Sequence, residues 1–182
     1  MRNLSTSQWR LGFTALCLLA EFALLLWEHF HGGIKSHHLL HRADLPAISN
    51  AWGLVLLPAL AWLASTQVLK RIQSKNLGLA NLPKSAIPGF AGALIFGCML
   101  AFSFSHDYEA VTENLFMAMF LLAVLLPVYR AETVLGFVLG MNVVFGTVLP
   151  TAVAALLATL SAMVHLILWP LLLRGWRWCL RR

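Results

Sequence analysis

The sequence predicts an all-α integral membrane protein: a six-transmembrane-helix bundle with both termini cytoplasmic and a short outer helix after span one. Three observations carry that expectation. The 182-residue chain is 60% hydrophobic and only 11% charged, whereas a water-exposed surface needs roughly 25% charged residues. Six apolar stretches approach the roughly 20 residues that a helix needs to cross a hydrocarbon core of about 30 Å. With those six spans in place, eleven of the thirteen Lys and Arg fall on one side, and cytoplasmic loops carry just such an excess.

The expected spans are 11–30, 51–69, 86–104, 112–128, 133–149 and 152–173, in a single transmembrane domain over 1–182. The first could pass for a secretory signal, since a basic, polar start precedes an apolar run. Glu21 interrupts that run and no small-x-small cleavage site precedes Glu28, so the segment reads as a retained span. Tyr129-Arg130-Ala131-Glu132 links spans four and five, and Pro150-Thr151 is the expected tight turn between five and six. Gly89, Ala93 and Gly97 recur every four residues on span three, as do Gly136 and Gly140 on span five. Such spacing lets helix backbones approach closely in lipid.

Sidedness follows from these spans. The inner surface takes Arg2, Arg10, Lys70, Arg71, Lys75, Lys84, Arg130, Arg174, Arg177, Arg181 and Arg182, with Glu132 as its acid. The outer surface has two bases, Lys35 and Arg42, against Glu28, Asp44, Asp107, Glu109 and Glu113. Trp27 and Trp52 mark the outer interface and Trp9, Trp176 and Trp178 the inner one, where amphipathic rings settle. The net charge of +6 is thus a topology signal and not a nucleic-acid-binding one. The three Cys are scattered at 17, 98 and 179, with no pair in the outer loops to form a disulfide.

Six of the seven His gather outside: His29, His31, His37, His38, His41 and His106. Membrane insertion does not ask for this, so it is the leading functional signal. Gly32-Gly33 breaks span one, and Ser36 can cap a short helix to about Asp44. On that helix His37, His41 and Asp44 stand at i, i+4 and i+7, on one face. Two imidazoles and a carboxylate form a partial ligand set for a divalent metal, zinc before copper. His29, His31 or His106 would complete it, and Glu28 or Asp107 would serve as general base. Met99, Met117 and Met119 beside Cys98 are the soft donors that copper would want, and are equally ordinary apolar filler.

Three groups lie within the bilayer: Glu21, Asn142 and His165. Ionisable groups there are costly and face a partner in the bundle. They form either a polar path descending from the outer site or a structural hydrogen bond from Glu21 to His165 or Asn142. A single midplane His does not supply the two axial ligands of a transmembrane haem.

These residues lead to a polytopic metalloenzyme with an outward-facing site, performing metal-dependent hydrolysis or transfer on a membrane lipid or lipid-linked substrate. The alternatives are a protein that transports or handles a divalent metal or protons, and a non-catalytic subunit of a membrane complex. The expected setting is a bacterial inner membrane with the His-rich face periplasmic, with a homo-oligomer or a membrane-complex partner.

Overall fold

A computed structural model describes residues 6–38, 47–74 and 86–179. Helix α1 is Thr6–Phe30, β1 is Ser36–His38 and β2 is Ala47–Ser49. A 3-10 turn over Asn50–Trp52 leads into α2, Gly53–Ser74. There follow α3 (Ala86–Ser105), α4 (Glu109–Leu125), α5 (Ala131–Phe145) and α6 (Val148–Ala162). A π-helical segment, Met163–Leu168, joins α6 to α7, Trp169–Cys179. The described residues are therefore all-α apart from one small antiparallel hairpin, β1–β2. Among the described residues, four helical stretches are long and apolar enough to cross a membrane: Thr6–Phe30, Asn50–Ser74, Ala86–Ser105 and Val148–Arg174.

The burial pattern inverts that of a soluble protein. Leu19, Phe22, Leu63, Ile95, Leu121 and Leu156 face outward, while Glu21, Glu28, Glu132 and Asn142 are buried. Such a surface suits lipid, where apolar side chains need no partner and carboxylates do. Helix α5 is the centre, packing on α2, α3 and α6. At 15 residues it spans only about 22 Å, but its ends are enclosed by polar groups.

The α3–α5 contact is the tightest. Gly136 lies against the Phe90 carbonyl, and Gly97 against Phe137 and Gly140, so the two helices run parallel. The glycine spacing read from the sequence thus marks a true helix–helix seam.

Helix boundaries differ from expectation at three places, each for a local reason. Helix α4 ends at Leu125 because Leu126 turns extended (φ −117°, ψ 148°) ahead of Pro127, as residues before proline do. The turn between α5 and α6 is at Gly146–Thr147, where Gly146 takes φ +65°, and not at Pro150-Thr151. Pro150 instead occupies the first turn of α6, where its missing N–H is no loss. The third difference is the expected outer helix. Ser36–His38 is a strand, with Ser36 opposite Ser49, His37 opposite Ile48 and His38 opposite Ala47.

At the end of the bundle away from the hairpin, Arg71 of α2 pairs with Glu132 of α5, which is 4% exposed. Removing Arg71 strands a buried carboxylate. Arg71→Ala is expected to cost about 2 kcal/mol, read as a lower melting temperature in mild detergent. The double variant Arg71→Ala, Glu132→Gln should recover most of it.

Candidate functional site

The end of the bundle that carries the β1–β2 hairpin is organised by two carboxylates on one face of α1. Glu21 and Glu28 are seven residues apart, two helical turns, and are 1% and 2% exposed. The Asn142 side-chain amide donates to Glu21 Oε2 at 2.5 Å. The Thr147 hydroxyl lies 2.7 Å from Asn142 Oδ1 and 3.3 Å from Glu21 Oε1. Gly53, at the start of α2, leaves the room Glu21 occupies, since a Cβ there would meet Glu21 Cδ at 2.6 Å and Thr147 Oγ1 at 2.7 Å. Four elements, α1, α2, α5 and the α5–α6 turn, therefore converge on one carboxylate.

Glu28 does the corresponding work one layer further out. Asn50 Nδ2 donates to its Oε1 at 2.8 Å, and the Lys35 backbone N–H donates to its Oε2 at 3.2 Å. The Asn50 N–H in turn donates to the Lys35 carbonyl at 3.0 Å. Gly146 packs on the Asn50 side chain, its Cβ position 2.9 Å from Cγ. The reversal that makes this possible uses Gly32 and Gly33 at φ +116° and +96°, a region that suits glycine. Ser49 Oγ accepts from the Ala51 N–H at 3.2 Å and so caps the turn into α2, as its place in the sequence suggests. The hairpin is thus bolted to the bundle through Glu28 and Asn50.

The candidate ligands are placed differently from their expected cluster. His31 Nδ1 turns back to the Trp27 carbonyl at 2.8 Å, and its ring stacks on Trp27 at 4.6 Å. His106 Nδ1 lies 3.0 Å from the Phe102 carbonyl, with its ring against Phe102. His29 is exposed beside Phe30. Asp107 is exposed in the α3–α4 turn at φ +55°, a conformation Asp tolerates better than most residues. Each satisfies local geometry, and among the described residues no three His, Cys, Asp or Glu side chains could hold one ion. His37 lies in a strand, so the helical spacing that would set it above His41 is lost. His41 and Asp44 lie outside the described residues. Met99 and Met117 face outward and Met119 is buried.

His165 does not join Asn142 and Glu21. Its Nδ1 is 3.0 Å from the Ser161 carbonyl and its ring is 6.2 Å from Tyr129. Ser161 Oγ donates to the Leu126 carbonyl at 2.8 Å and accepts from the Val128 N–H at 3.1 Å. His165 therefore belongs to the α4–α5 link, while Asn142 is eleven residues into α5, about 16 Å further along the helix. Glu21 is thus partnered by Asn142 and Thr147, and His165 lies apart from that group. The groups sequence reasoning missed are Thr147, Gly53, Gly146 and the Asn50 amide. Asn50 and Thr147 stand near the ends of apolar runs, where they read as caps and turns.

The fold and this site define a helical membrane protein with a buried polar network under a small hairpin. Comparison with family models, curated proteins and solved structures finds no match.

Proposed function

We propose that this protein handles a cation, a proton or a divalent metal, at the outer face of a membrane. The observation that carries the reading is the pair Glu21 and Glu28, both buried and amide-bonded in an otherwise apolar bundle. Ionisable groups at membrane depth are expensive and mark ion or proton pathways. The single Thr147 proton cannot serve Glu21 and Asn142 together. A proton on Glu21 would fill the bond that remains, so the network can gain or lose one with little rearrangement. In this reading Glu28 exchanges with the His-rich hairpin above and Glu21 is the inner station.

The same reading takes α1 to α6 as six membrane crossings, the short α5 sheltered by its neighbours, with both termini cytoplasmic. It sets the hairpin on the periplasmic side of a bacterial inner membrane. The excess of Lys and Arg on the opposite side supports this orientation.

A second reading, a zinc-dependent hydrolase or transferase acting on a lipid-like substrate, is favoured by one feature. The anchored strand Ser36–His38 precedes His41 and Asp44 in the sequence, so His37, His41 and Asp44 are close along the chain and form the ligand set of this reading. His29, His31 and His106 would be recruited only by movement. A metal would lower the pKa of a bound water, with Glu28 or Asp107 as base. Elemental analysis of detergent-purified protein separates the readings. The hydrolase predicts stoichiometric zinc that His37→Ala or His41→Ala removes. Cation handling predicts ion flux that requires Glu21 and needs no tightly held metal.

A further inference from the structure

We propose that the cavity between α3, α4, α5 and α6 holds the acyl chain of an anionic phospholipid, whose phosphate rests at Arg130. The cavity encloses about 440 Å³. It exists because Gly89 and Gly92 add no side chains to the α3 wall, and because α4 ends early at Leu125. Phe96, Met119 and Phe137 close the deep end. From Pro88 to Phe96 the groove follows α3 for about 12 Å, the scale of part of an acyl chain.

Its lining is almost wholly apolar, so water would find too few partners there. Left empty, the walls would forfeit dispersion contacts. A hydrocarbon chain satisfies them, and the membrane supplies one at high local concentration. Polarity enters at one end, where Arg130 caps α5 and Thr133 stands one turn on. A guanidinium presents a planar fork of donors matched to phosphate oxygens, so charge complementarity selects an anionic headgroup over a zwitterionic one. The inference rests on the membrane reading and is independent of cation handling.

Native mass spectrometry of the detergent-purified full chain tests it, titrating phosphatidylglycerol and, separately, phosphatidylcholine of the same chain length. Wild type is expected to retain phosphatidylglycerol about tenfold more tightly. Gly92→Leu should lower that binding about tenfold, because its new side chain fills the groove. The Gly92 Cβ position meets nothing within 4 Å, so the backbone is undisturbed, and Gly92→Val serves if leucine impairs folding. Gly12→Leu, at another exposed glycine with open space, should bind as wild type does. Arg130→Gln should level the two lipids. Equal binding by wild type and Gly92→Leu would overturn the proposal, as would a headgroup preference that is absent in wild type or survives Arg130→Gln.

Discussion

Glu21→Leu is expected to destabilise the bundle by about 4 kcal/mol, the largest effect of any single polar substitution in it. The leucine fills much of the space but accepts no hydrogen bond. It leaves the Asn142 amide without its 2.5 Å acceptor and removes a neighbour of Thr147, both in a buried layer. Each orphaned buried donor costs about 1–3 kcal/mol, and lipid offers no replacement partner. Glu21→Gln is the informative companion. It keeps an acceptor and the shape of the side chain, so it should fold with a loss of about 1 kcal/mol while abolishing any exchange of a proton. Thermal unfolding in mild detergent separates the two variants. Equal stability of Glu21→Leu and Glu21→Gln would mean that the network does not hold the bundle.

Gly136→Ala is expected to cost about 3 kcal/mol. A methyl group there overlaps the Phe90 carbonyl and lies 3.2 Å from the Leu94 nitrogen. Both are backbone atoms of α3, so no rotamer change relieves the clash and the helices must separate along the seam. Gly140→Ala meets the Leu94 carbonyl and the Cys98 nitrogen at 2.8 Å, and should behave likewise. Gly92→Ala, on the same α3 but facing the groove, should change stability by less than about 0.5 kcal/mol. The contrast is read by melting temperature and by monodisperse elution in detergent. Similar melting of Gly92→Ala and Gly136→Ala would contradict the packing described for α3 and α5.

The helices were legible because lipid imposes one rule on every residue of a span. Apolar runs near twenty residues mark them, and the glycine repeats on α3 and α5 identify the contacting faces in advance. Boundaries were less legible, since Pro150 has two meanings. It can end a helix or sit in a first turn, and the glycine at 146 decides between them. The site was legible in part. Glu21 and Asn142 stand out because they are polar where polarity is costly, whereas Glu28 reads as an outer-surface acid and its burial beside Asn50 does not show in the sequence. Thr147 and Asn50 do not, because a hydroxyl or amide near a span end ordinarily caps it. The helical reading of Ser36–His38 failed because i, i+4 spacing carries no information about strand pairing. Its partner, Ala47–Ser49, lies beyond Pro46 and offers only a three-residue apolar signature. His31 and His106 each spend one ring nitrogen on a carbonyl of their own segment, and His29 lies exposed beside Phe30, local placements that the sequence does not reveal.

Cation handling, as proposed, requires Glu21 and Glu28 to exchange a cation through the hairpin end of the bundle. The direct measurement is flux into proteoliposomes holding pH-sensitive and zinc-sensitive dyes, with wild type and Glu21→Gln reconstituted at matched density. A dye response to an imposed proton or zinc gradient in wild type, lost in Glu21→Gln although that variant folds, is the predicted result. No response in wild type, or one that Glu21→Gln leaves intact, would contradict it and leave the buried carboxylates a purely structural part.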